Sequence, residues 1–265
     1  MTPLEAFLQS HQVFSLEELA RALDLPEEGT ASRLLKYHRR TGRVKGVTRG
    51  VYATMPPGAE AANFLPDRYL VAAAVRPDAL FSHHAALELL GAAHSDWRVC
   101  TLFTARRRRP VSLGSVEIRF LDHPPALKRK GEKSLGTLQV TRDGRTLRAT
   151  GPERTLLDGL RDPGTAGGPE ELLDSASGFG VLDLKLVKRL LQAYDEKLLW
   201  AAVGWFLEKN QRRFFVPPDY LALLEKHRPT SPQYLLRSRR GGVMQPRWNL
   251  ILPESLVGAK EPDEA

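Results

Sequence analysis

The sequence predicts an α+β fold in three parts, and three observations carry that prediction. Apolar residues recur at helical spacing through the first 40 residues and again after residue 170, while β-like runs fill the middle. Proline and glycine cluster at 55–58 and 163–168, where chain breaks are expected. Basic residues are bunched instead of spread. With 265 residues, 42% hydrophobic, the chain can bury a sizeable core, and no repeat period marks it as a solenoid. The expected parts are residues 1–55, 66–170 and 171–250, with a disordered tail over 253–265.

Leu4, Phe7 and Leu8 form the stripe of a first short helix. Ser15 and Glu18 have the spacing of a capping box, opening a second helix through Leu16, Leu19, Ala20 and Leu23. Pro26 to Gly29 breaks it, and Thr30 can cap a third helix with Leu34, Leu35 and Tyr37 inward. Arg33, Lys36, Arg39 and Arg40 are then left on or near the exposed side, and Gly42 ends the helix. Arg43–Val47 and Val51–Thr54 read as a hairpin around Thr48-Arg49-Gly50. Three helices and a basic hairpin in this order spell a winged helix-turn-helix.

In the middle part, Asp67–Val75 reads as a helix and Ser82–Gly91 as another, with a serine cap and a glycine stop. Strands are expected at Arg98–Thr104 and Ser115–Leu121, with a hairpin from Thr137 to Thr150 turning at Asp143-Gly144. Gly151-Pro152-Glu153 opens a helix through Arg161. Beyond residue 170 the pattern is helical: Glu170–Ala176, a longer helix capped by Asp183, an apolar helix over Lys197–Lys209 with Trp200, Trp205 and Phe206 buried, and Asp219–Lys226. From Pro229 to Pro253, Tyr234, Leu235, Leu236 and Trp248 are interleaved with Arg237, Arg239 and Arg240. This stretch either wraps back on the body or lies in a nucleic-acid groove, where aromatics stack on bases.

The net charge of +8 hides a strong asymmetry. Residues 29–55 carry seven basic residues and no acidic one, 105–130 net +6, and 226–250 carry six basic and no acidic residues, so the rest of the chain is net acidic. Such separation builds one-sided fields suited to polyanions. A helix fits the major groove of double-stranded DNA, and its basic side chains reach phosphates and base edges. Arg43, Lys45 and Arg49 are placed on the wing to grip the flanking backbone. Arg106, Arg107, Arg108 and Arg109 form a run between strands, suited to phosphate or an acidic partner, or simply solvated.

Several classes fall away. Apolar runs such as Tyr69–Val75 are too short to span a bilayer, and the N-terminal residues lack a signal-peptide layout, so a cytoplasmic protein with no membrane partner is expected. His83, His84, His94 and Cys100 do not make a metal site: adjacent helical histidines point about 100° apart, and no second cluster completes four ligands. Asp183-Leu-Lys185 is the nearest match to a metal-dependent nuclease triplet, but no strand acid precedes it. No phosphate loop or nucleophile–base pair appears. The expectation is a non-enzyme with no cofactor and no catalytic residue.

Two further segments carry a resemblance. Phe81-Ser82-His83-His84-Ala85-Ala86-Leu87 follows the expected winged helix ending in Thr48-Arg49-Gly50-Val51-Tyr52. Ala149-Thr150-Gly151-Pro152-Glu153-Arg154-Thr155-Leu156-Leu157-Asp158 comes next, then a helical tail. In this order the chain, over residues 1–210, resembles the AbiEi antitoxins of type IV toxin–antitoxin systems, which neutralise a nucleotidyltransferase-like toxin from the same operon. The resemblance implies autorepression at inverted repeats through the winged helix, antitoxin activity in the C-terminal part and a place in phage defence. It puts DNA reading at Ser32, Arg33, Lys36 and Tyr37, with Arg49 on the wing; Thr30 and Arg40 belong to the same helix. The Ser82–Leu87 and Pro152–Asp158 motifs look structural, with Arg154 and Asp158 spaced to pair on one helix. The expected partners are operator DNA, the toxin and, through the basic C-terminal stretches, RNA. The alternative is a stand-alone winged-helix regulator whose second part senses a ligand or oligomerises.

Overall fold

A computed structural model describes residues 1–106, 108–238 and 241–257. Among them the chain is mixed α and β, with twelve α-helices and three sheets. It divides into two interleaved units: residues 1–80, 98–121 and 139–148 form the first, and 81–97, 122–138 and 149 onward form the second. The linear boundaries expected at 66 and 170 therefore do not separate the units. Strands pair with partners far away in sequence, so a unit is assembled from several segments.

In the first unit, α1 (Pro3–Ser10) starts at a capping box of Thr2 and Glu5. β1 (Val13–Ser15) leads into α2 (Leu16–Ala22), where the Ser15 hydroxyl accepts from the Glu18 amide at 3.0 Å and the Glu18 carboxylate accepts from the Ser15 amide at 2.8 Å. Each box satisfies two amides that a helix start would otherwise leave bare. α3 (Glu28–Arg40), β2 (Val44–Thr48) and β3 (Val51–Thr54) follow, and the strands make an antiparallel sheet in the order β1-β3-β2. Phe7, Leu8, Phe14, Leu19, Leu35, Val44 and Tyr52 fill the core between helices and sheet.

Three expectations for α3 are corrected. The helix begins at Glu28, so Thr30 lies in its first turn and does not cap it. Leu34 and Tyr37 do not point inward: they are 41% and 57% exposed. Ala31, Leu35 and His38, spaced i, i+4 and i+7, make the buried stripe instead. The polar His38 occupies the place that an apolar reading gives to its neighbour. The helix ends as expected at Gly42, whose φ of +74° lets the Arg43 amide turn back to the His38 carbonyl at 2.9 Å.

The rest of the first unit is α4 (Arg68–Val75), capped by the Asp67 carboxylate, and most of a six-stranded sheet. Its strands are β4 (Leu80–Phe81), β5 (Val99–Thr104), β6 (Val111–Leu113), β7 (Val116–Asp122), β8 (Thr137–Arg142) and β9 (Arg145–Thr150), in the order β6-β7-β5-β4-β9-β8. Asp143 and Gly144, both at positive φ, turn the β8–β9 hairpin as read from the sequence.

The second unit is mainly helical: α5 (His84–Leu89), α6 (Pro125–Arg129), α7 (Pro152–Arg161), α8 (Pro169–Ser177), α9 (Leu184–Tyr194), α10 (Lys197–Lys209) and α11 (Pro218–Glu225). Ser82 is not the cap of α5; that position falls on His83, at φ +53° and with no side-chain cap bond. A small sheet of β10 (Gln233–Tyr234), β11 (Val243–Gln245) and β12 (Leu250–Leu252) follows, then α12 (Glu254–Val257). The described residues of the 229–253 stretch wrap back. Leu235, Trp248, Leu250 and Leu252 are buried in the helical core, so Trp248 does not stand open to stack on bases. Its ring lies so close to Gly204 of α10 that an added Cβ would come within 2.1 Å of it. The expected disordered tail is helical over Glu254–Val257, and its remainder, 258–265, lies outside the described residues.

Arg154 and Asp158 do pair, 3.4 Å apart and both buried. The Arg154 guanidinium also donates to the carbonyls of Lys133 (2.6 Å) and Leu135 (2.9 Å), and the Tyr194 hydroxyl donates to Asp158. One helix turn thus supplies a charge pair whose remaining hydrogen-bonding capacity is largely taken up by the chain around it.

Candidate nucleic-acid interface

Burial of Ala31, Leu35 and His38 fixes which side of α3 meets solvent. The opposite face is centred on Arg33, Lys36, Tyr37 and Arg40, all exposed, with Leu34 on one flank and Arg39 on the other. Among the described contacts, the Arg33 guanidinium donates to the Thr30 hydroxyl at 3.1 Å and lies 3.8 Å from Glu27, both at the helix start. The Arg40 guanidinium sits 5.9 Å from the centre of the Tyr37 ring, and Arg39 sits 5.6 Å from that of Tyr52. Such stacking holds a cation in place without neutralising it. Ser32 and Thr30 are only half-exposed and lie off the centre of the face.

The hairpin keeps two of its three expected contacts free. Arg43 and Arg49 are exposed, Arg49 in the turn beside Gly50, whose φ is +77°. Lys45 differs from the expectation of a cation open to DNA. It is half-buried, and its ammonium donates to the carbonyls of Ala61 at 2.5 Å and Phe64 at 2.9 Å, in the segment that follows the hairpin. Carbonyls accept its hydrogen bonds but leave its charge in place.

Between α3 and the hairpin lies a hollow of about 440 Å³, lined by Lys36, Arg39, Arg40, Gly42, Val44, Lys45, Gly46, Met55 and Ala61. Four cations and no carboxylate face it. The register slips between Gly46 and Thr48, and this irregularity marks the β2 wall of the hollow. His38 underlies the helix on its other side. Burial, and secondarily the charge of Arg43, hold its imidazole below the usual 6.5, with Glu5 acting in the opposite sense.

No family model matches the chain, and no curated protein matches it. The crystal structure of the RV2827C protein from Mycobacterium tuberculosis is similar, with 20% sequence identity and a TM-score of 0.58, over 97% of this chain and 96% of that one. At that identity the likeness concerns the fold alone.

The other described basic candidates lie on other elements and do not line this hollow. Arg106, Arg108 and Arg109 are exposed in the loop between β5 and β6, and Arg107 lies outside the described residues. The base of that loop is pinned by Asp78, which accepts from the Ala105 amide at 2.6 Å and from Arg76 at 2.7 and 2.8 Å. Arg237 is exposed in the second unit, while Arg239 and Arg240 lie outside the described residues.

The histidine segment is packed into the second unit. His84 is buried between Glu88 and Glu171, each 3.2 Å away. Glu171 also accepts from the amides of His94 and Ser95 and from the hydroxyls of Ser95 and Ser175, a set of bonds that holds its carboxyl below the usual range against its burial. His83 is buried, which pushes its imidazole down from 6.5 while the charge of Asp158 opposes the shift. Asp183 accepts the amides of Lys185 and Leu186 and so caps α9. Among the described residues, no three His, Cys, Asp or Glu side chains gather as metal ligands, and no helix is long and apolar enough to cross a membrane.

The sequence reading missed Arg39 as a site residue and placed Leu34 inside. A signal for both was present. Once Ala31, Leu35 and His38 are taken as the buried stripe, the period puts Leu34 outside and Arg39 beside the hairpin.

Proposed function

We propose that residues 1–55 are a winged helix-turn-helix that binds double-stranded DNA, and that the chain is an autorepressing antitoxin of the AbiEi kind. The observation that carries the DNA reading is the α3 face: Arg33, Lys36, Tyr37 and Arg40 exposed together, beside the exposed Arg49 turn, in a stretch that contains no acid. A carboxylate on this face would repel phosphate. The carboxylates of Glu27 and Glu28 sit at the start of the helix, Glu27 against Arg33, and the rest of the face is left to enter the major groove while the hairpin turn meets the neighbouring backbone. Tyr37 and Leu34 add apolar surface of the sort that meets a thymine methyl.

The antitoxin half of the reading rests on the order of the two motif segments after the basic hairpin. Apart from the half-buried Pro152 their residues are buried around α5 and α7, so they would shape a stable body and not touch a partner themselves. Opposition to a nucleotidyltransferase-like toxin would then fall to the exposed surface of that body.

The test uses the full chain, since the first 80 residues share a unit with the strands that follow. The neighbouring gene product is expressed until it arrests growth, with wild type or the Arg33→Ala/Arg49→Ala variant supplied in trans. Both should restore growth, while the variant loses operator affinity by roughly 1–3 kcal/mol per contact and its salt slope falls by about 0.9 per lost phosphate contact. Failure of soluble wild type to restore growth would move the assignment to a stand-alone regulator.

A further inference from the structure

We infer that the hollow between α3 and the β2–β3 hairpin is a seat for a phosphate group, and that Lys45 transmits its occupancy to the segment over residues 56–66. The seat goes beyond the DNA reading, on which it depends only for one source of the phosphate.

Three observations converge. The hollow is ringed by Lys36, Arg39, Arg40 and Lys45, with no acid among its lining residues. Two of these cations are stacked: Arg39 lies over Tyr52 and Arg40 over Tyr37, which orients the guanidiniums while leaving their charges intact. A group of like charges around an open hollow is unfavourable in isolation and favourable around an anion. A tetrahedral phosphate with several acceptor oxygens suits planar guanidinium forks and an ammonium together better than a carboxylate does.

The third observation is the engagement of Lys45. Its ammonium is bound to the carbonyls of Ala61 and Phe64, and Ala61 itself lines the hollow. Residues 60–64 form a single turn, with the amides of Asn63 and Phe64 bonded to the Glu60 carbonyl at 3.1 and 3.0 Å. Lys45 therefore ties that turn to β2. A phosphate oxygen is a charged acceptor and a stronger partner for an ammonium than a neutral carbonyl. A phosphate in the hollow draws Lys45 from the two carbonyls and loosens the tie. The same ammonium cannot serve both fully, so phosphate binding and order in 56–66 oppose one another.

The experiment is amide hydrogen exchange over residues 58–65 of the full chain, wild type and Lys45→Met. Inorganic tripolyphosphate and a duplex DNA of about 20 base pairs serve as the two probes. In wild type, exchange should quicken several-fold when a probe saturates the seat. In Lys45→Met it should be fast from the start and unresponsive, with tripolyphosphate affinity reduced roughly tenfold, the loss expected for one charged hydrogen bond. Melting temperature checks that the variant is folded.

A response to both probes supports a seat for phosphate from either source. A response to the duplex alone supports the seat and assigns the DNA backbone as its source. A response to tripolyphosphate by a chain that binds no duplex supports the seat and removes the DNA reading. Binding of the duplex or tripolyphosphate with unchanged exchange in wild type would overturn the coupling. An affinity for tripolyphosphate unaltered by Lys36→Ala/Arg40→Ala, or no binding of either probe, would overturn the seat.

Discussion

Arginine has opposite fates in α3 and α7. Lys36 and Arg40 stand in solvent on α3 beside Tyr37, while Arg33 on the same face has the exposed Glu27 3.8 Å away. Arg154 of α7 is fully buried, matched to Asp158 and to two backbone carbonyls. A buried charge must have its partners supplied from within the fold, whereas an exposed one leaves its partner to be supplied from outside. Uncompensated cations on a fixed helix face are therefore a better sign of a binding surface than the number of arginines, and Arg154, bonded within the fold and fully buried, is closed to a ligand.

The largest expected effect tests the buried side of this comparison. Asp158→Ala leaves Arg154 without its carboxylate and should cost about 3–5 kcal/mol in urea unfolding, whereas a double change to apolar residues of similar size, Arg154→Met/Asp158→Leu, should recover most of that. A cost below about 1 kcal/mol for Asp158→Ala would mean that the pair is solvated in practice and the contrast is false. On the exposed side, Arg40→Ala should move stability by less than about 0.5 kcal/mol while lowering duplex affinity roughly tenfold in a fluorescence anisotropy titration. Equal losses in both assays would break the distinction between the two helices.

The smallest effect concerns pH and sharpens the comparison within α3. Burial depresses the imidazoles of His38 and His83 below their ordinary 6.5. The unfolded chain takes up protons as the pH falls through about 6.5, and the folded chain does so only at lower pH. Their contribution to stability is thus complete above that value and is lost progressively below it. Melting temperature should fall between pH 7 and pH 5, and His38→Gln should reduce the slope. A slope unchanged by His38→Gln would assign the effect to the second unit alone.

Much of the fold was legible because its signals are local. Ser15 and Glu18 close their own box, Asp183 caps its own helix, and Asp143-Gly144 sets its own turn. The basic run of 29–55 and the apolar run of α10 are likewise written in consecutive residues. What was misread depends on alternatives of similar local merit. Thr30 is a good cap, but the helix started two residues before it. Leu34 is more apolar than His38, yet the phase of α3 is fixed by packing of Ala31 and Leu35 against the core. The candidate site was legible in composition and not in geometry: the sequence put Lys45 among the free cations, and only the fold shows it held by residues 61 and 64.

By itself the sequence determined the helices with strong caps, the hairpin turns, the acid-free basic segment and the burial of the tryptophans in α10, since each follows from residues within a few positions of one another. The tertiary structure alone decided how the segments interleave into two units, that Trp248 closes over Gly204, and which cations surround the hollow beside α3. These features depend on contacts between residues far apart in the chain, and a short stretch of sequence holds no record of its distant partner.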